Sequence, residues 1–236
     1  GDVLNESYYK GYLLYGPPGT GKSSFIKHLA EISGGKSIYV IQLNNITCAD
    51  LIDHFKFVRD ENVITVIEDI DTVFNGRERV DKSVNRTDLD YSTLLNCLSG
   101  ADSPRTGYVF VTTNHLEAID PALMRDGRLG NVIEITYPDE DTLNRMFDSI
   151  SITLLDFFEE LRVKKSRVLR DSYVSRLNVE PLSSEILDAM VEEIENSREG
   201  ILTEAKEGNY TTAKFQNIVK SKIIEIYLKY RKKEIE

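Results

Sequence analysis

The sequence predicts an α/β fold, a parallel five-stranded sheet with flanking helices, followed by a smaller all-helical domain. Three observations lead there. Five short apolar runs of strand length occur before residue 137, and stretches of helical spacing separate them. A glycine-rich loop joins the first run directly to a helical stretch. After Pro138 the apolar residues recur only at helical intervals. The two domains are therefore expected at 1–137 and 138–236.

The first run, Gly11-Tyr12-Leu13-Leu14-Tyr15, reads as a buried parallel strand. It leads into Gly16-Pro17-Pro18-Gly19-Thr20-Gly21-Lys22-Ser23, which fits the pattern G-x-x-x-x-G-K-[ST]. Ser24 to Ala30 then has helical spacing. Strand, glycine loop and helix in that order aim a helix N-terminus at an anion. Each residue type has a task in this chemistry. Glycines let the backbone turn tightly and present N–H groups to phosphate oxygens. Lys22 supplies a cation for the β and γ phosphates, and the Ser23 hydroxyl is a magnesium ligand. Gly16 to Ser24 is thus the expected cradle of a nucleoside triphosphate, as in P-loop NTPases.

Ser37 to Gln42 is the second strand, and a helix follows near Cys48 to Phe57. The third strand, Val63 to Ile67, runs into Glu68-Asp69-Ile70-Asp71. Carboxylates at the C-terminal tip of a strand sit where an open α/β sheet places its ligands. One is needed near magnesium, and the next can orient or deprotonate an attacking water. Glu68 and Asp69 are the candidates for both tasks, while Asp71 is expected to cap a turn or line a subunit face. Asn75 to Arg86 is polar and reads as a long loop, with Arg77, Arg79, Lys82 and Arg86 in it.

Tyr91 to Leu98 is expected as a short helix and Tyr108 to Thr113 as the fourth strand. The strand tip delivers Asn114, whose amide can reach a γ-phosphate or the attacking water. Asp120 caps a short helix with Pro121 at its first position. Arg125 and Arg128 are expected to emerge together at its end. Guanidinium groups stabilise charge on a transferring phosphoryl group. Their own phosphate loop is too far away, so they would serve a neighbouring subunit. Asn131 to Ile135 is the fifth strand.

The helical part shows the sets Leu143, Met146, Phe147 and Ile150; Leu154, Leu155, Phe157, Phe158 and Leu161; and Ile186, Leu187, Met190, Val191 and Ile194. Gly208 and Asn209 punctuate before a last helix from Thr212 to Lys232. Lys229, Arg231, Lys232 and Lys233 read as solvated cations at its C-terminus.

Composition narrows the function classes. Apolar residues make up 41% and charged residues 29%, as expected of a globular chain. The net charge of −10 argues against a broad nucleic-acid face, which needs basic residues. No apolar run approaches the ~18 residues of a membrane span. The first six residues carry no basic region and no signal core. Any targeting or membrane segment is expected outside this chain. Cys48 and Cys97 read as reduced, buried thiols, which suits an intracellular protein of unknown compartment. His28 and His54 read as helix residues without catalytic duty.

Three blocks, YLLYGPPGTGKSSFI, VITVIEDIDTVF and VFVTTNHLEAIDPALMRDGRL, resemble the AAA+ ATPases of the classical AAA clade over about residues 10–137. The order Glu68 then Asp69, where most of that clade has Asp then Glu, is similar to the Bcs-type subfamily, mitochondrial ATPases that help assemble the cytochrome bc complex. The segment Leu89 to Gly100 resembles it too. The resemblance implies an ATPase with ATP and Mg2+ as cofactors. It matches Gly16 to Ser23 to the nucleotide loop, Glu68 to the magnesium-associated acid and Asp69 to the catalytic acid. It matches Asn114 to the first sensor, and Arg125 and Arg128 to the arginine fingers. It implies a homo-oligomeric ring, hexamer or heptamer, acting on a protein substrate, with the helical domain as its lid. Departures are Asp126 where a proline is usual, Gly130 where an acid is common, and Thr211-Thr212-Ala213-Lys214-Phe215 where lids carry a Gly-Ala pair, with no sensor arginine evident. Two other readings stand beside it. One is a nucleic-acid motor or loader, which the acidic total disfavours. The other is a nucleotide-gated assembly switch with little turnover.

Overall fold

A computed structural model describes residues 9–44, 46–59, 61–75, 78–79, 89–100, 103–163 and 183–235, with side chains at 79, 157–163 and 231–235 outside the described set. The loop cations Arg77, Lys82 and Arg86, and the side chains of Arg79, Phe157, Phe158, Leu161, Arg231, Lys232 and Lys233, therefore lie outside it. The chain divides into two compact units, Gly1–Thr136 and Tyr137–Glu236.

The first unit is a parallel sheet of five strands. They are β1 (Lys10–Tyr15), β2 (Ile38–Ile41), β3 (Ile64–Ile67), β6 (Tyr108–Thr113) and β7 (Asn131–Glu134), in the spatial order β2-β3-β6-β1-β7. Helices α1 (Lys22–Ile32), α2 (Cys48–Val58) and α3 (Tyr91–Ser99) connect them. The strands read as unbroken apolar runs because both faces are covered. Alternate side chains go to opposite faces. Leu13, Ile67, Val109 and Val111 join Leu51 and Phe55 of α2 and Leu94 and Leu98 of α3 in one core. Leu14, Val66 and Phe110 join Ile26 and Ala30 of α1 in the other. The helices start where polar caps allow. Thr47 and Asp50 form a reciprocal capping box on α2, and Asp90 caps α3 through the Thr93 N–H.

Within the expected loop from Asn75, the described residues form a small antiparallel pair, β4 (Phe74–Asn75) with β5 (Glu78–Arg79). Gly76, between the two strands in sequence, is a turn signal that the charge of the segment obscures. The short helix after Asp120 is a 3₁₀ turn, Pro121–Met124, with the Ala122 N–H donating to Asp120 Oδ1 at 2.7 Å.

The second unit holds α4 (Glu140–Val163), α5 (Ser184–Glu207) and α6 (Thr212–Ile235), with no strand among its described residues. Leu143, Phe147 and Ile150 of α4 meet Met190, Ile194, Ile201 and Leu202 of α5 and Phe215, Val219, Ile223 and Ile226 of α6. Val191, expected inside, is 42% exposed. Gly208 caps the C-terminus of α5, and Asn209 takes the left-handed backbone conformation at φ 45° directly after it. Lys229, half exposed, is also paired: its ammonium donates to both Glu193 oxygens at 2.7 Å and ties α6 to α5. Among the described residues no helix is long and apolar enough to cross a membrane.

Packing around β1 is tight enough to test. A Cβ on Gly11 would stand 1.8 Å from the Arg128 carbonyl oxygen and 3.1 Å from Leu129 Cα. Backbone atoms cannot swing aside as a side-chain tip can. Gly11→Ala should cost about 1–3 kcal/mol of stability, the usual range for overpacking, read from denaturant unfolding of the full chain. An unchanged midpoint would contradict this packing.

Candidate active site

β6 lies between β1 and β3, and all three run parallel. Their C-terminal ends therefore open at one edge of the sheet. The register sets Tyr15 beside Thr113 and Ile67 beside Val111. The loop after β1, the acids after β3 and the amide after β6 are brought together there, although they lie far apart in sequence.

The loop folds around its own lysine. Lys22 Nζ donates to the Gly16 carbonyl at 2.8 Å and to the Pro17 carbonyl at 3.0 Å. Thr20 Oγ1 donates to the same Pro17 carbonyl at 2.9 Å. Gly16 sits at φ 142°, and a Cβ there would lie 2.1 Å from the Ile135 carbonyl oxygen, so no other residue fits this turn. The α1 N-terminus has no side-chain cap, unlike α2 and α3, and no acid in its first turn, unlike α2. Its first backbone N–H groups, around Ser23 and Ser24, are left for an anion. Pro18 and Gly19 are exposed at the mouth of this cradle.

Lys22 is only 7% exposed. Its third bond goes to Asn114 Oδ1 at 2.8 Å, linking the loop to the β6 tip. Burial lowers its pKa, and the charges of Asp69 and Asp71 oppose that shift.

The adjacent acids diverge. Glu68 is exposed, and its Oε1 accepts from Ser23 Oγ at 2.5 Å. Asp69 occupies the left-handed region at φ 47°, ψ 54°. An aspartate tolerates that conformation better than most residues, at a cost of order 1–3 kcal/mol. Its neighbours hold it there. The Asp69 N–H donates to Thr112 Oγ1 at 2.9 Å, and Thr72 Oγ1 donates to the Asp69 carbonyl at 2.8 Å. The bend brings Asp69 Oδ1 to 3.4 Å from Asn114 Nδ2. Burial, and then the charges of Asp71 and Glu68, raise the Asp69 pKa, while Lys22 and Asn114 pull it back. A more basic carboxylate is better suited to take a proton from water.

Among the described residues no group of three or more His, Cys, Asp or Glu side chains could hold a metal ion. Magnesium at a triphosphate needs no such cage, because phosphate and water oxygens fill most of its octahedron. Ser23 and Glu68 are already in contact and offer hard oxygen donors, so the donor set fits Mg2+.

Two residues of the site went unassigned in the sequence, and a third, Asp71, has different partners from those expected. Thr112 and Thr113 are 1% and 0% exposed at the end of an otherwise apolar strand, and that pair of buried hydroxyls was the available signal. Asp71 does not cap the turn at its own position. Its Oδ1 accepts from Thr113 Oγ1 at 2.7 Å and from the Asn114 N–H at 3.0 Å.

Arg125 and Arg128 flank one turn, closed by the Arg128 N–H donating to the Arg125 carbonyl at 3.1 Å, but their side chains have different surroundings. Arg128 Nε donates to Ser99 Oγ at 2.9 Å, and its Nη1 donates to the Ala122 carbonyl at 2.7 Å. Arg125 is exposed, and its side chain has no partner among the described residues.

Residues 12–137 match the family model of the ATPase family associated with various cellular activities (AAA). The chain is similar to the probable mitochondrial chaperone bcs1 of Schizosaccharomyces pombe, at 40% identity over 132 residues, 54% of this chain and 28% of that protein. It is similar to the mitochondrial chaperone BCS1 of Homo sapiens, at 39% identity over 146 residues, 59% of this chain and 34% of that protein. It also matches the probable 26S proteasome regulatory subunit 4 of Caenorhabditis elegans, at 31% identity over 222 residues, 84% of this chain and 48% of that protein. In each case the matched region spans less than half the relative's length. With the phosphate loop, the acids and the amide at the tips of adjacent parallel strands, and over half its length in the family match, this chain belongs to the AAA family of ATPases, and its similarity to the BCS1 chaperones supports the Bcs type within it.

Proposed function

We propose that this protein hydrolyses ATP in an oligomeric ring and uses the turnover to remodel, translocate or assemble a protein substrate. The observation that carries the proposal is the bond between Lys22 Nζ and Asn114 Oδ1 at 2.8 Å, with Asp69 on the same amide. It joins the phosphate-binding cation to the groups that would handle water.

The residues then have distinct tasks. Gly16 to Ser24 cradle the triphosphate through backbone N–H groups. Lys22 exchanges a loop carbonyl for a β- or γ-phosphate oxygen. Ser23 and Glu68 hold magnesium, which supplies charge neutralisation at the phosphates when bound. Asp69 orients the attacking water and accepts its proton, and Asn114 fixes the position of that water. Arg125, exposed and unpartnered among the described residues, is the finger offered to a neighbouring subunit. Arg128 holds the finger-bearing turn against Ser99 and Ala122. Residues 1–137 form the nucleotide-binding domain, and 138–236 form the helical lid.

The relatives support a protein substrate, and a homo-oligomeric ring, hexamer or heptamer, is part of the same proposal. They include mitochondrial chaperones, a proteasome regulatory subunit and a proteasome-activating nucleotidase. The net charge of −10 supports a protein over a nucleic-acid partner. The mitochondrial relatives support an intracellular location. Any membrane attachment would come from a segment outside this chain.

Two measurements test these roles. Lys22→Ala should weaken ATP binding by about 1.5–3 kcal/mol, the worth of a charged hydrogen bond, in calorimetric titration. Affinity at the level of the unaltered chain would remove Lys22 from the site. The second test is mixing. Arg125→Ala keeps its phosphate loop, and Lys22→Ala keeps its finger. Each alone should release phosphate slowly, since a finger in trans contributes roughly 10³–10⁵-fold in related phosphoryl transfers. Co-assembled, they should regain part of the lost rate. A mixture that co-assembles and stays inactive would refute the ring-coupled mechanism.

A further inference from the structure

Asp71 has been given no contact with nucleotide or water; besides its charge, which acts on Asp69 and Lys22, it binds the residue on which the roles above converge. One carboxylate oxygen, Oδ1, accepts from the side chain of Thr113 at 2.7 Å and from the backbone N–H of Asn114 at 3.0 Å. Thr113 is fully buried, and its oxygen also accepts from the His115 N–H at 3.0 Å. The backbone on both sides of Asn114 is therefore fixed through Asp71. β6 ends at Thr113, so no ladder bond would hold Asn114 without this carboxylate. The amide so held must meet Lys22 on its oxygen and Asp69 on its nitrogen at the same time.

We propose that Asp71 is a positioning residue for ATP hydrolysis, acting through Asn114 by accepting hydrogen bonds rather than by touching nucleotide. The inference rests on the roles given to Asn114 and Asp69 above. A displacement of about 1 Å in such a group can cost 10²-fold in rate. A carboxylate that braces the β6 tip would influence that displacement without altering the phosphate cradle, which lies on β1 and α1. Asp71 thus belongs to the turnover step and not to nucleotide affinity.

The experiment is a double-mutant cycle on the full chain, read as kcat, ATP affinity and melting temperature. Asp71→Leu removes the acceptor at similar size. It should lower kcat by about 10–10²-fold and leave ATP affinity unchanged. Asp71→Asn keeps an acceptor oxygen and should restore most of the rate. On an Asn114→Ala background Asp71→Leu should cost nothing further, because its route of action is gone. Thr113→Val removes one donor to Asp71 and should show a smaller loss of the same kind, which decides the matter if Asp71→Leu fails to fold. If Asn114→Ala turns over normally, the sensor role itself is wrong and the inference falls with it. If Asn114→Ala is slow but Asp71→Leu is unimpaired, or its cost simply adds, Asp71 does not act through Asn114. Loss of affinity and melting temperature in Asp71→Asn as large as in Asp71→Leu, without a separate effect on kcat, would also overturn the proposal.

Discussion

The site depends on one buried ammonium. Lys22 is taken almost wholly out of water, and a charge in that position is tolerated only when acceptors surround it. Three do so: the carbonyls of Gly16 and Pro17 and the amide oxygen of Asn114. The first two close the loop into a cradle. The third crosses to another strand and ties the lysine of the loop to the β6 tip. The parallel register of β1 with β6, Tyr15 beside Thr113, makes this crossing short.

The division between Glu68 and Asp69 follows from the same geometry. Consecutive residues leaving an extended strand point in different directions. The left-handed turn at Asp69 increases that divergence and sends one carboxylate to Ser23 and the other toward Asn114. The strain at Asp69 is held by two threonine hydroxyls, from Thr112 and Thr72. Backbone strain of this kind gathers at functional sites where the surroundings over-determine the conformation. The inverted order of the acids, with the shorter side chain second, is compatible with water handling because the backbone bend supplies the reach.

Much of the fold was legible because its signals are local. Runs such as Val109-Phe110-Val111 and the loop from Gly16 to Ser23 announce themselves within a few residues. The acids after β3 and the amide after β6 were legible because strand tips are predictable places for chemistry. What escaped notice depends on distant partners. Asp71 reaches Thr113 and Asn114 across more than 40 positions of sequence. Lys229 finds Glu193 on another helix, and Arg128 finds Ser99. The different surroundings of Arg125 and Arg128 depend on Ser99 and Ala122, which the spacing of the two arginines does not encode. The α6 core residues Phe215, Val219, Ile223 and Ile226 follow helical spacing, but the mixed charge of that helix obscured the stripe.

The central claim is that Asp69 governs the cleavage of bound ATP while Lys22 and the loop govern its capture. The most direct measurement is the identity of nucleotide retained by Asp69→Asn after incubation with ATP and Mg2+, compared with the unaltered chain at equal occupancy. The account predicts that the variant holds intact ATP where the unaltered chain holds ADP, with cleavage slowed about 10²–10⁴-fold as for loss of a general base. Equal conversion to ADP in both proteins would contradict it.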